Sequence, residues 1–140
     1  MPSAPLIFNK PRQTRFITGA ADQFASHDFL YQWVAKDMTE RLSEIKRDFQ
    51  SVLLSGVHTK DYFGERFAGA TISTETTPEA LSTQVGQYDC ILSIGEMHVA
   101  NDLPGLLIQM RRALKPDGVL LAAFAGGETL HELRAALMQG

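Results

Sequence analysis

Short apolar runs of strand length alternate with stretches of helical period along this chain, and that alternation most limits how it can fold. Residues 51–55, 70–74 and 88–94 read as strands, and so do residues 119–124, opening on Val119 and closing on Phe124. Around them, apolar residues spaced by three and four mark amphipathic helices. One carries Leu30, Trp33, Val34, Met38, Leu42, Ile45 and Phe49 over residues 29–49; another carries Leu103, Leu106, Leu107, Met110 and Leu114 over residues 102–114. Shorter helices are expected at 61–67, at 78–85 behind Pro78, and at 128–138. Near-continuous apolar strands joined by helices predict an α/β domain: a mainly parallel sheet of about four strands with helices on both faces.

The chain of 140 residues is expected to hold one such domain, residues 27–140, behind an N-terminal arm, residues 1–26. Pro2, Pro5 and Pro11 make the arm partly irregular, with Leu6, Ile7, Phe8 and Phe16 as apolar docking points. Asp28 is placed to cap the helix that follows, and Phe29 and Trp33 read as core. Lys115, Pro116, Asp117 and Gly118 read as a turn in which Gly118 permits positive φ.

A net charge of −3 argues against nucleic-acid binding, because the densest basic spots, Lys46-Arg47 and Arg111-Arg112, are small and each is expected on a helix. The single cysteine, Cys90, lies within a strand; it reads as inert core in a reducing, cytoplasmic compartment. No leader-like segment or run long enough to cross a membrane is apparent. The four histidines show no pair at ligand spacing, so a metal site is not expected.

In a doubly wound sheet, ligands bind at the carboxyl ends of the strands. The turn after the first strand holds one glycine, Gly56. Glu75 follows it by 19 residues at the end of the second strand, where it reads either as a ribose-binding acid or as a solvated loop charge. Ser93, Ile94 and Glu96 end the third strand, to meet a ligand or cap the turn. His98 follows, where it reads by itself as packing at the strand end. His58 reads mainly as polar surface, and Asn101 and Asp102 as caps of the next helix.

The stretch from His98 through Asn101-Asp102-Leu103-Pro104, the Lys115-Pro116-Asp117-Gly118 turn and Gly126-Gly127-Glu128-Thr129-Leu130 resembles class I S-adenosylmethionine-dependent methyltransferases. It is similar, more narrowly, to the group holding the biotin-synthesis methyltransferase and the methyltransferase-like assembly factors of respiratory complex I. The resemblance implies S-adenosylmethionine as cofactor, held through Gly56, Glu75, Ser93 and Ile94, with His98 toward the methyl acceptor. It also implies a strand order of 2-1-4-5 in the family's numbering.

This chain departs from the family at its glycine loop. Leu54 stands where the family places an aspartate, and Lys60 stands at a later glycine position, where its side chain would obstruct close approach. Residues 76–87 are too few for the family's third strand and its crossover, and the family's later strands are not found before Gly140. The expectation is therefore a truncated, divergent methyltransferase-like protein whose cofactor binding is weakened or lost. Two alternatives stay open: a non-catalytic assembly module, and an active enzyme completed by oligomerisation. The edge at Val119 to Phe124 is expected to pair with a second copy or a protein partner.

Overall fold

The computed structural model describes residues 5–68, 71–75 and 85–139. In chain order these form α1 (Lys10–His27), α2 (Phe29–Glu44), β1 (Ser51–Ser55), α3 (Thr59–Phe63), β2 (Thr71–Glu75) and β3 (Tyr88–Ile94). A short 3-10 turn (Met97–Val99), α4 (Leu103–Ala113), β4 (Leu114–Ala123) and α5 (His131–Gln139) follow. All strand pairs are parallel, in the order β2-β1-β3-β4, which is the order the resemblance implies. The helical turns expected at 78–85 fall almost wholly outside the described residues.

Side-chain alternation along β1 and β3 sends apolar groups to both faces of the sheet. Val52, Leu54, Cys90, Leu92 and Ile94 pack with Met38 and Leu42 of α2 and with Phe63 of α3. Leu53 and Ile91 face the other way, onto Leu106, Met110 and Ala113 of α4. Burying a side chain of this size contributes roughly 1.5–3 kcal/mol. Cys90 sits in this core, and burial pushes its thiol up to about 12, so it stays protonated and unreactive at neutral pH.

Several local expectations are corrected. The arm is helical from Lys10 onward: Pro11 falls in the first turn, where its missing N–H has no partner to lose, and Asn9 Oδ1 accepts from the Arg12 N–H at 2.9 Å. Asp28 does not cap α2; its carboxylate accepts from Gln32 Nε2 at 2.7 Å and from the Tyr62 hydroxyl at 2.6 Å. Burial and that hydrogen bond raise the Tyr62 hydroxyl above its ordinary range. α2 ends at Glu44, so Lys46 and Arg47 stand beyond the helix. Phe29 and Trp33 are 78% and 68% exposed, because the buried stripe of α2 runs through Ala35, Met38 and Leu42 instead.

The expected turn at Lys115–Gly118 lies inside β4 as a bulge. β3 advances from Tyr88 to Cys90 while β4 advances from Leu114 to Val119. Asp117, not Gly118, takes the positive φ, at 61°. Cations brace the bulge: Arg47 Nη1 donates to the Asp117 carbonyl at 2.9 Å, and Lys115 Nζ pairs with Asp89 at 3.2 Å. The Asp89 carboxylate also accepts from the Gln50 and Ser51 N–H groups, at 3.0 and 2.9 Å, which ties the start of β1 to β3.

Burial alone would raise the Asp89 carboxyl. The Lys115 ammonium and the two N–H donors outweigh it and hold the group below its ordinary value of 3.8. A carboxylate depressed in the folded state contributes its stability fully above the unfolded value and loses it as pH falls through the folded one. Asp89→Asn is expected to lower stability near neutral pH by about 1–2 kcal/mol and to flatten the acid limb of the curve below pH 3.8, read by chemical denaturation across pH.

Candidate active site

β1 ends at Ser55 and β3 ends one residue beyond Ser93, and these two serines stand opposite one another in register. After each, the chain must leave the sheet abruptly, and it does so through Gly56 at φ 120° and Gly95 at φ 75°. Thr59 staples the two exits together. Its hydroxyl donates to the Ser55 carbonyl at 2.6 Å and accepts from the Ile94 N–H at 3.4 Å. Gly95 N–H donates to the Ala123 carbonyl at 2.7 Å, so β4 is tied to the same end.

Glu96 lies at the centre of this arrangement. Its side chain is buried, and its carboxylate accepts from the Ser55 hydroxyl at 3.1 Å. A buried carboxylate is tolerated only when its oxygens are hydrogen-bonded. The carboxyl group packs directly against the Gly56 turn: a Cβ at Gly56 would meet it at 2.9–3.0 Å and the Thr59 hydroxyl at 2.6 Å. The Tyr31 hydroxyl occupies the corresponding space beside Gly95. Burial first, and the Glu96 charge second, raise the pKa of that hydroxyl, so it remains a donor at neutral pH.

A cavity of about 750 Å³ opens above these turns, between α1 and the strand ends. Ile94, Gly95 and Glu96 form part of its floor. One wall is aromatic: Phe24 of α1 stacks on His58 with ring centroids 3.5 Å apart, and Tyr31 meets both rings edge-on. α1 is held over the opening from its N-terminal end. Asn101 Oδ1 accepts from the Ile7 and Phe8 N–H groups, Asn101 Nδ2 donates to the Phe8 carbonyl, and Lys10 Nζ donates to the Val99 carbonyl at 2.9 Å.

The sequence-derived candidates distribute unevenly over this site. Ile94 and His98 reach it, His98 as an exposed side chain on the 3-10 turn at the cavity rim, while Gly56 is not among the lining residues and lies beneath Val57 and Glu96, which are. Ser93 lies beneath the turns, its hydroxyl buried and without a hydrogen-bond partner among the described residues. Glu75 closes β2 opposite Ser55, in register with it. Lys60 is exposed on α3 and is not among the residues lining this cavity.

His58 is not simple polar surface: it is part of the aromatic wall and lies 3.3 Å from Asp61. Asp102 does cap α4, accepting from the Gly105 N–H at 2.9 Å, whereas Asn101 clamps the arm. Phe24, Tyr31 and Lys10 were missed. They come from helices that precede the strands: Phe24 and Tyr31 meet where α1 packs on α2, and Lys10 reaches the site through its bond to the Val99 carbonyl. Among the described residues, no group of three or more metal-ligating side chains is assembled, and no helix is long and apolar enough to cross a membrane.

No family model matches the chain. It is 31% identical to the mitochondrial arginine-hydroxylase NDUFAF5 of Danio rerio over 91% of this chain and 47% of that protein. It is 36% identical to the malonyl-[acyl-carrier protein] O-methyltransferase of Gallionella capsiferriformans (strain ES-2) over 41% of this chain and 20% of that one. The chain therefore spans at most about half the length of these curated relatives. The solved DhpI-SAM-HEP complex shares the fold, with a TM-score of 0.59 at 16% identity over 96% of this chain and 73% of that one.

The crowding at Gly56 generates a direct test. Gly56→Ala places a Cβ at a strained φ and against the Thr59 hydroxyl and the Glu96 carboxyl, so it is expected to cost about 1–3 kcal/mol of stability, read by thermal or urea unfolding.

Proposed function

We propose, from the premise that the chain belongs to the class I S-adenosylmethionine-dependent methyltransferase-like family, that it is a divergent member whose hold on that cofactor is weakened. The observation that carries this reading is the Glu96 carboxylate, hydrogen-bonded to Ser55 and packed on the Gly56 turn. The resemblance puts the methionine end of the cofactor at that turn, which needs open backbone there. In this chain a buried side chain takes the space, and Leu54, buried in the core, stands at the family's aspartate position.

The remaining candidates fit this reading as partial contacts. Glu75 would hold the ribose hydroxyls, Ile94 would line the approach with Ser93 buried behind it, and His98 would face the methyl acceptor at the rim. When bound, the cofactor supplies an activated methyl group, and the protein's task is alignment and exclusion of water. The turn at Gly56 does not fit the cofactor with Glu96 where it stands, so no catalytic step follows from this geometry. A cytoplasmic location belongs to the same proposal, supported by the free, buried thiol of Cys90.

Calorimetric titration with S-adenosylmethionine and S-adenosylhomocysteine tests it. The native chain is expected to bind with Kd weaker than about 1 mM, and Glu96→Ala to tighten binding about tenfold or more. Micromolar binding by the native chain, or no gain from Glu96→Ala, would overturn the reading.

A second reading, a domain that works by docking on protein, is favoured by the exposed apolar face of Phe29, Leu30 and Trp33 on α2. β4 is the other surface suited to it: it pairs with β3 on one side and with no strand on the other among the described residues. Static light scattering at rising concentration is expected to report masses above the 15.5 kDa of one chain, and a constant monomer mass retires self-association.

A further inference from the structure

At the amino ends of β1 and β2, far from the cavity above Gly56, the chain forms a second groove of about 710 Å³. Lys46, Arg47 and Arg66 line it, and Asp48 is the acid among the lining residues. Its floor includes Phe49 and Phe67, which meet edge to face at 6.2 Å. Each ring carries a guanidinium: Arg47 lies 5.3 Å from the Phe49 centroid and Arg66 lies 5.9 Å from that of Phe67. We propose that this groove binds a small phosphate-bearing molecule through Arg47, Arg66 and Lys46.

The charge balance carries the proposal. Arg47 donates through Nη1 and Nη2 to the carbonyls of Asp117 and Asp89, at 2.9 and 3.3 Å. These bonds hold the guanidinium in place, but they are made to neutral oxygens and leave its charge uncompensated. Arg66 and Lys46 form no ion pair among the described residues. The nearby Asp89 carboxylate is engaged by Lys115 and by the Gln50 and Ser51 N–H groups. The groove thus gathers three cations against one acid, with two guanidiniums seated on adjoining rings and one of them fixed before any ligand arrives.

Planar guanidiniums match the oxygens of a phosphate monoester, and holding them beforehand lowers the ordering cost of binding. A groove of this volume suits a small molecule. Lys46-Arg47 is one of the basic spots expected on a helix; because α2 ends at Glu44, the pair turns into this groove instead.

The test is a ¹⁵N NMR titration of the whole chain with inorganic phosphate and with phenyl phosphate at fixed ionic strength. Amide shifts confined to residues 45–50 and 66–67 are expected with either probe. Tighter binding of phenyl phosphate identifies an ester as the ligand, and equal binding identifies phosphate itself. Arg66→Gln, which removes no hydrogen bond among the described residues, is expected to weaken binding about tenfold. Arg41→Gln, whose guanidinium pairs with Asp37 outside the groove, is expected to leave binding unchanged. Shifts spread over every basic side chain, or binding that survives Arg66→Gln, overturn the proposal. Should Arg66→Gln unfold the chain, Lys46→Gln on the exposed segment after α2 is read in its place, with the same outcomes.

Discussion

The parallel ladder between β1 and β3 runs from Val52 against Cys90 to Ser55 against Ser93, with both faces of the pair buried. Three inner positions of β1 and their partners on β3 are apolar and almost wholly excluded from water. A slip of one residue would exchange the two faces and drive Ser55 and Ser93 into the α2 and α3 side of the core. The register is therefore strongly determined. It brings the exits of the two strands together, where Thr59 bonds both the Ser55 carbonyl and the Ile94 N–H and the Ser55 hydroxyl bonds Glu96.

From that ladder the two ends of the sheet acquire opposite characters. The carboxyl end is tight, built from glycine turns, a buried acid and aromatic rings donated by the first two helices. The amino end is open and basic, with its cations resting on phenylalanine rings or bonded to carbonyls. The bulge in β4 belongs to this second end. Its carbonyl at Asp117 helps to hold Arg47, and Lys115 occupies the carboxylate of Asp89 that would otherwise compete for Arg47.

Much of the scaffold was legible from local pattern. β3 falls at residues 88–94 and β1 at 51–55 as read, because an apolar run buried on both faces tolerates few alternatives. α4 is legible for the same kind of reason, its stripe of Leu106, Met110 and Ala113 being strictly helical in spacing. The helix of the arm is not legible from its prolines, because proline breaks a helix interior, yet Pro11 stands in the first turn, where a helix accepts it. The exposure of Phe29 and Trp33 was not legible either: hydrophobicity names a residue that could be buried, and only the position of the sheet decides which face of α2 is covered.

The chain's own residues thus determined the alternation of strand and helix, the parallel sheet and the glycine exit at Gly56, all of which follow from period, burial and φ acting over a few neighbours. They also carried the family likeness, in motifs lying mostly in α4, β4 and the turn that follows. Tertiary structure decided the rest. It set Glu96 rather than Lys60 against Gly56, brought Phe24 and Tyr31 to His58, and turned Asn101 from a helix cap into a clamp on the arm. Those contacts join residues tens of positions apart, and no local period records them. They exist because parallel strands end together at one edge of the sheet, where side chains from several crossovers must share the same space.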